Sequence, residues 1–189
     1  MDEWIVISCH TNDDLYRQQA NKLIASLKAW DIPYVIEEVK NTGSWAKNTH
    51  YKPTICLETL EDWDVPVLFL DADSEVIDYP FLIDTLTCDV AMYFLNEGKP
   101  ATGTVFVNNT DGGKKFLRAW IDACKGGENV SDQKALKRIW PIEGVSVEEL
   151  PASYCKIFDK MEGVEPVIRQ NQASRLFNAG LDETDTKTR

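Results

Sequence analysis

The sequence lacks the features that a membrane-spanning or secreted protein needs. It contains no apolar run of about 18 or more residues, the length that a transmembrane helix requires. Its first stretch, MDEWIVISCH, carries no basic region and only a short apolar run. We therefore expect no signal peptide, no transmembrane segment and a cytoplasmic location.

Cysteine is sparse and follows no recognised spacing. There are five cysteines, an odd number, and no two of them form a CxxC pair. This pattern argues against both a disulfide framework and a zinc cluster, so we expect reduced and mostly buried thiols. The five are Cys9, Cys56, Cys88, Cys124 and Cys155.

Positive charge is in deficit. The chain has 20 Lys and Arg against 31 Asp and Glu, which gives a formal net charge of −11 at pH 7. Such a chain repels a phosphate backbone, so nucleic acid is not an expected partner. A small anionic ligand remains compatible with this charge if a metal ion bridges it to the protein.

The remaining composition is that of a folded domain, with 43% hydrophobic and 10% aromatic residues over 189 positions. β-rich runs alternate with segments of helical period, which predicts an α/β fold with a mostly parallel, Rossmann-like sheet flanked by helices. Predicted strands cover residues 4–9, 33–39, 65–70, 88–94, 102–109, 145–150 and 164–168. Predicted helices run from an Asp13 cap to about Asp31, over 54–60, 80–86 and 113–124, and onward from Ser131–Asp132. We expect one domain over residues 1–177 and a disordered tail over 178–189.

An acidic pair follows the strand in VPVLFLDADSEV, residues 65–76. In an extended backbone Asp71 and Asp73 project from the same side, at the sheet edge where open α/β sheets bind ligands. Two like charges held close destabilise each other unless one is protonated or a cation lies between them. Carboxylate oxygens favour Mg²⁺ or Mn²⁺. The alternative for a lone DxD is a solvated acidic turn.

Four segments in order, KPTICLETL, VPVLFLDADSEV, TGTVFVNN and SDQKAL, carry a more specific resemblance. Over residues 47–136 the chain resembles nucleotide-sugar glycosyltransferases of the GT-A type, especially the family 8-like galactosyl- and glucosyltransferases. The opening VISCHTND is similar to the nucleotide-binding start of the same fold. The ordered set carries the likeness, since no single motif is specific.

The resemblance implies a single GT-A-like domain that transfers a hexose from a nucleoside diphosphate sugar, UDP-linked, to an acceptor hydroxyl of a glycan or other compound. It assigns Asp71 and Asp73 to Mn²⁺ or Mg²⁺, and it assigns Asp132 and Gln133 to the donor sugar or the reacting centre. Donor contacts would come from Thr11, Asn12, Lys52, Asp71, Ala72 and Gly103. Lys47 competes with Lys52 for the basic position.

Each of these residues also has an ordinary structural interpretation. Thr11, Asn12 and the Ser131–Asp132 pair suit turns that cap helices. The lysines suit a solvated surface, and Gly103 suits a simple turn. The aromatic residues Trp45, Tyr51, Trp140 and Tyr154 suit either stacking on a sugar or packing in the core.

One departure from the family concerns the late part of the chain. Family 8 enzymes supply a third metal ligand from a His in an HxxGxxKPW-like segment, whereas the only histidines here are His10 and His50. The comparable segment, PVIRQNQASR at 166–175, offers amide oxygens from Gln170, Asn171 or Gln172. Its Arg169 and Arg175 are candidates for diphosphate contacts in a loop that closes over the donor.

Two other functions remain open on the sequence. The missing histidine suits a nucleotide-sugar-binding protein that no longer turns over. FLDADSEV also partly resembles the start of haloacid-dehalogenase-like phosphatases, with Asp71 as nucleophile and Asp73 as acid and base. Against the phosphatase, the motif lies far from the start of the chain, Glu75 stands where Thr or Val is usual, and no later acidic pair follows.

Overall fold

A six-stranded sheet forms the centre of the fold in this computed structural model, which describes residues 4–127 and 130–173. The strands, in chain order, are β1 (Ile5–Thr11), β2 (Tyr34–Val39), β3 (Val67–Leu70), β4 (Ser74–Val76), β5 (Val90–Leu95), β6 (Lys99–Val107), β7 (Val147–Glu149), β8 (Lys156–Ile157) and β9 (Ile168–Gln170). The sheet has the order β2-β1-β3-β6-β5-β7, and β6 alone runs antiparallel to its neighbours. The predicted α/β class with a mostly parallel sheet is confirmed.

Helices cover both faces of this sheet. Those described are α1 (Asp14–Ala29), α2 (Trp45–Thr49), α3 (Tyr51–Trp63), α4 (Asp111–Lys125) and α5 (Asp132–Ile139), with 3₁₀ turns at Ile83–Thr85, Asn96–Gly98 and Ala152–Cys155. One core cluster joins the sheet to α3, α4 and α5, and the other joins it to α1 and β9. Among the helices of residues 4–127 and 130–173, none combines the length and apolarity needed to cross a membrane.

The alternation of side chains along the central strands explains the two cores. In β3 all four residues are buried, with Val67 and Phe69 in one cluster and Leu68 and Leu70 in the other. A strand covered on both faces needs apolar residues at every position, and VLFL supplies them. The predicted interior strand before the acidic pair is therefore present.

Two predicted helix caps are also present. The Asp13 carboxylate accepts a hydrogen bond from the Tyr16 amide at 3.0 Å, and Ser131 Oγ accepts one from the Lys134 amide at 3.4 Å. Such caps satisfy backbone donors that the first helical turn leaves unpaired. They begin α1 and α5 close to the carboxyl ends of β1 and β3.

A small second sheet, in the order β4-β9-β8, lies directly after the acidic pair. β4 pairs antiparallel with β9, so Ser74 lies opposite Gln170 in the register. This pairing brings the late segment of the chain against the residues that follow β3.

Several predicted elements differ from those observed. The helix expected at 54–60 spans Tyr51–Trp63, the one expected at 80–86 is a 3₁₀ turn at Ile83–Thr85, and the strand expected at 164–168 is β9, which begins only at Ile168. The short elements α2, β4 and β8 were not predicted. Their sequences are too short and too polar for periodicity to indicate them. The expected domain end at 177 and the tail at 178–189 lie outside the described residues.

Candidate active site

A cavity of about 270 Å³ opens at the carboxyl ends of β1, β2 and β3. It is bordered by the start of α1, by α2 and α3, and by the start of α5. Seven of the predicted site residues line it, namely Thr11, Lys52, Asp71, Ala72, Asp73, Asp132 and Gln133. The edge of the sheet where the acidic pair was expected to meet a ligand is therefore a concave site.

The side chain of Lys52 forms the centre of the cavity floor. Its Nζ lies 2.8 Å from Asp71 Oδ1 and 3.0 Å from Asp132 Oδ2, and it donates a hydrogen bond to the Thr102 carbonyl oxygen at 2.9 Å. The residue is only 5% exposed. Thr102 Oγ1 is a fourth, longer acceptor at 3.4 Å, so the three donors of the ammonium group are all engaged. The expected role of Lys52, reaching toward the donor, would require it to give up one of these contacts.

The charges of this cluster set its protonation. Burial by itself would lower the pKa of Lys52, but the Asp132 and Asp71 carboxylates raise it above its usual range. Burial raises the pKa of Asp71, and the Lys52 cation opposes that rise. Lys52 therefore stays charged at neutral pH. Its charge allows two carboxylates from different elements to share one site without a metal between them.

Asp71 and Asp73 lie in a turn and not in an extended strand. β3 ends at Leu70, and the Ser74 amide donates to the Asp71 carbonyl at 2.8 Å, which closes the turn. The expectation that an extended backbone would aim both side chains to one side is therefore wrong. The turn nevertheless brings both carboxylates to the cavity.

Asp73 is held by the late segment of the chain. Its Oδ2 accepts a hydrogen bond from the Ala173 amide at 2.5 Å, and its carbonyl accepts one from the Asn171 amide at 3.1 Å. Burial, followed by the negative charge of Asp71, raises the pKa of Asp73 to about 6. The ionised form of Asp73 is thus disfavoured as the site stands, and a bound cation would favour it.

Gln170 ties this segment to the turn. Its Oε1 accepts a hydrogen bond from Ser74 Oγ at 2.8 Å, and its Nε2 donates to Thr104 Oγ1 at 3.0 Å and to the Gly103 carbonyl at 3.2 Å. The side chain is buried, with its amide fully engaged, so it does not face the cavity as a metal ligand. Gln172 lines the cavity instead, with a left-handed backbone at φ 56°.

Two predicted donor contacts lie outside the cavity wall. Gly103 packs behind Asp71, since a Cβ there would lie 3.1 Å from Gln170 Cδ and 3.2 Å from Asp71 Oδ2, and its neighbour Thr102 lines the cavity. Asn12 is exposed, and its carbonyl accepts from the Arg17 guanidinium at 3.3 Å. In both cases the preceding residue lines the cavity instead, Thr102 before Gly103 and Thr11 before Asn12.

Asp132 and Gln133 line the cavity from the first turn of α5. The Asp132 amide donates to Thr49 Oγ1 at 3.0 Å, and the Trp120 indole donates to the Asp132 carbonyl at 2.9 Å. These contacts hold the backbone of Asp132 while Lys52 holds its carboxylate. The capping and site interpretations of this segment are therefore compatible, because Ser131 caps the helix and Asp132 faces inward.

The predicted arginine contacts differ from the observed ones. Arg169 pairs with Glu75 at 2.5 Å, across the second sheet. Arg175 lies outside the described residues. Lys47 does not line the cavity, so Lys52 is the basic residue that the site contains.

Three further residues line the cavity that the sequence analysis did not predict as site residues. Tyr16 comes from α1, and Asn48 and Thr49 come from α2. Because α2 was not predicted, nothing marked Asn48 or Thr49. Tyr16 could have been predicted from its position three residues after the Asp13 cap, in the first turn of α1.

The fit of a divalent metal rests on the Asp71 and Asp73 carboxylates. Within residues 4–127 and 130–173 no group of three or more His, Cys, Asp or Glu side chains could hold a metal ion. Mg²⁺ commonly keeps several waters and binds through one or two carboxylates together with substrate phosphates. The residues present fit that kind of site, in which the ligand completes the shell, and they do not fit a closed protein cage.

Comparison with known proteins supports the fold. No protein-family model and no curated protein matches the sequence. Among solved structures, a glycosyltransferase involved in the glycosylation of the major capsid of PBCV-1 aligns over 93% of this chain and 97% of its own, with a TM-score of 0.70 and 11% identity. Glycosyltransferase GlyE of Streptococcus pneumoniae TIGR4 aligns over 82% of this chain, with a TM-score of 0.55 and 15% identity. This chain spans 46% of that protein. The chain therefore has a GT-A-like fold, which it shares with solved glycosyltransferases.

Proposed function

We propose that this protein is a glycosyltransferase that moves a hexose from a nucleoside diphosphate sugar, UDP-linked, to an acceptor hydroxyl. The observation that carries the proposal is the meeting of Asp71, Asp73, Asp132 and Gln133 in one cavity, at the ligand-binding edge of a GT-A-like fold. Neither the fold nor the acidic pair would be sufficient alone, since folds host many functions and acidic turns are common.

Asp71 and Asp73 would hold Mn²⁺ or Mg²⁺ together with the donor diphosphate. When bound, the ion would supply positive charge against the negative charge that develops on the leaving diphosphate. The −11 charge of the chain makes such a cation useful, because an anionic donor would otherwise meet carboxylates on the cavity floor. Thr11 and Ala72 are the proposed contacts to the nucleoside.

The chain's own residues would orient the sugar. Lys52 fixes the carboxyl groups of Asp71 and Asp132, so that their other oxygens can accept hydrogen bonds from sugar hydroxyls. Gln133, beside them, adds an amide that can both donate and accept. Fixing these groups before the donor binds lowers the entropic cost of reaching a reactive geometry.

A second candidate, a sugar-nucleotide-binding protein without turnover, is favoured by one observation. The three carboxylates of the cavity wall all have partners, since Asp71 and Asp132 share Lys52 and Asp73 accepts from the Ala173 amide. Each carboxylate of the described wall is thus already paired, which makes it a weaker base for deprotonating an acceptor. The phosphatase alternative is not favoured, because the PBCV-1 and Streptococcus pneumoniae structures that share this fold are glycosyltransferases.

A thermal-shift and calorimetry screen of UDP-, GDP- and ADP-hexoses, with and without Mn²⁺, tests the proposal. A metal-dependent interaction with a sugar nucleotide, lost in Asp73→Asn and kept in Asp122→Asn, is expected. Asp122 is a matched control because it is exposed and pairs with Lys125 on its own helix. Release of the nucleoside diphosphate in the presence of hydroxyl acceptors separates transfer from binding alone. Binding unaffected by Asp73→Asn would contradict the assigned site.

A further inference from the structure

We propose that Trp45 is the residue on which the acceptor stacks, and that the acceptor presents a pyranose ring. The inference rests on the proposed transferase function and extends it to the second substrate. It concerns the first residue of α2, at the wall of the cavity.

Trp45 differs from the similarly exposed Trp63 in that it lines the cavity. The side chain is 57% exposed, yet it lines the same cavity as Lys52 and Asp71. Trp63 is exposed to the same degree, 58%, but it lies at the end of α3 and does not line the cavity. An exposed indole in the wall of a ligand site offers a flat apolar surface where a ligand can cover it.

The helix that carries the indole begins at a capped residue beside the cavity. Tyr16 of α1 lines the same cavity as Trp45. Ser44 caps the helix from which it projects, accepting from the Lys47 amide at 3.4 Å. The cap orders the backbone that carries Trp45 before any ligand arrives, which lowers the entropic cost of using the side chain as a stacking surface.

The shared cavity locates the indole relative to the acidic pair. Trp45, Tyr16 and Asp73 all line it, and the charge of Asp73 contributes, after burial, to raising the pKa of Tyr16 to about 12. Trp45 therefore borders the same cavity as the site proposed for the donor diphosphate. An acceptor hydroxyl must approach the donor sugar beside that diphosphate, which brings the acceptor to the indole.

The chemistry of the wall fits a sugar. The floor consists of hydrogen-bonding groups from Lys52, Asp71 and Asp132, which the donor would occupy. The exposed indole adds an apolar face at the rim. A pyranose combines hydroxyl groups at its edge with an apolar C–H face, and it can satisfy both surfaces.

The test uses tryptophan fluorescence and calorimetry on the full chain. The protein is saturated with UDP and Mn²⁺ and then titrated with a panel of methyl hexopyranosides. Trp45→Ala should weaken glycoside affinity about tenfold, and Trp45→Phe, which retains a ring, should recover most of it. UDP affinity should change less than about twofold in both variants. Trp63→Phe is the matched control and should behave as the wild type in every titration.

The emission signal identifies the residue. A glycoside-induced shift that is present in wild type and Trp63→Phe and absent in Trp45→Phe supports the inference. A shift that persists in Trp45→Phe, or a loss of UDP binding in Trp45→Ala, overturns it, the latter by assigning the indole to the nucleotide. Wild-type protein that binds UDP with Mn²⁺ but no glycoside of the panel overturns the inference alone. Protein that binds no sugar nucleotide overturns the proposed function and the inference with it.

Discussion

Lys52 Nζ lies 2.8 Å from Asp71 Oδ1, so the first carboxylate of the acidic pair is already neutralised by a cation from the protein. The same ammonium reaches Asp132 Oδ2 at 3.0 Å. No cation of residues 4–127 and 130–173 pairs with Asp73 in the same way, and its backbone and side chain are held by amides of the late segment. The two aspartates of the motif are therefore unequal in their need for a metal ion.

Replacing Lys52 should destabilise the fold strongly. Lys52→Met leaves the buried Asp132 carboxylate without its partner, and breaking a buried ion pair in this way costs about 3–5 kcal/mol of unfolding free energy. Urea unfolding followed by circular dichroism measures the change. Lys125→Met, at an exposed lysine, should change stability by less than about 1 kcal/mol. Equal stabilities of the two variants would contradict the central role of Lys52 in the cluster.

Metal-assisted donor binding should weaken as pH falls. The pKa of Asp73 is raised to about 6, so Asp73 becomes protonated below that pH and its neutral carboxyl ligates a cation poorly. Calorimetry with UDP-glucose and Mn²⁺ from pH 8 to about 5 should find affinity decreasing as pH is lowered through about 6. UDP-glucose suits this experiment because its diphosphate diester does not titrate in that range. Asp73→Asn should bind weakly at every pH, and a wild-type affinity independent of pH would contradict the assignment.

A methyl group at Gly103 should disturb the turn that holds the acidic pair. The added Cβ would lie 3.1 Å from Gln170 Cδ and 3.2 Å from Asp71 Oδ2, closer than the packing allows without a shift. We expect Gly103→Ala to lower the unfolding free energy by about 1–3 kcal/mol, as overpacking does. Gly126→Ala is the control, since among the described residues a Cβ there comes within contact of the Ala123 carbonyl, at an ordinary 3.4 Å. Thermal melts of the two variants compare them directly, and a smaller loss at Gly103 than at Gly126 would refute the packing argument.

Cys9 should resist alkylation although it lines the cavity. Burial is the main cause that raises its pKa to about 12, so the reactive thiolate is almost absent at pH 8. Iodoacetamide labelling followed by mass spectrometry of peptides should find Cys9 unmodified in folded protein. The same peptide should label fully in guanidinium chloride. Rapid labelling of Cys9 in the folded protein would mean that this part of the cavity opens to solvent.

The sequence alone was sufficient wherever a local pattern had one physical solution. The VLFL run had to be an interior strand because every residue needs burial, and Asp13 and Ser131 had to cap helices because short polar side chains satisfy free amides. The ordered motifs also predicted the fold, and they predicted most of the residues that line the proposed site at the edge of the sheet.

Only the tertiary structure decided how those residues act on one another. Lys52 is separated by 80 positions from Asp132, and no local rule indicates that a lysine will bury its charge between two distant carboxylates. The segment around Gln170 and Ala173 likewise meets the acidic turn only through the pairing of β4 with β9. Long-range contacts depend on which faces the whole core can bury together, so the sequence determined the chemical groups of the site, and packing decided their partners and their charge.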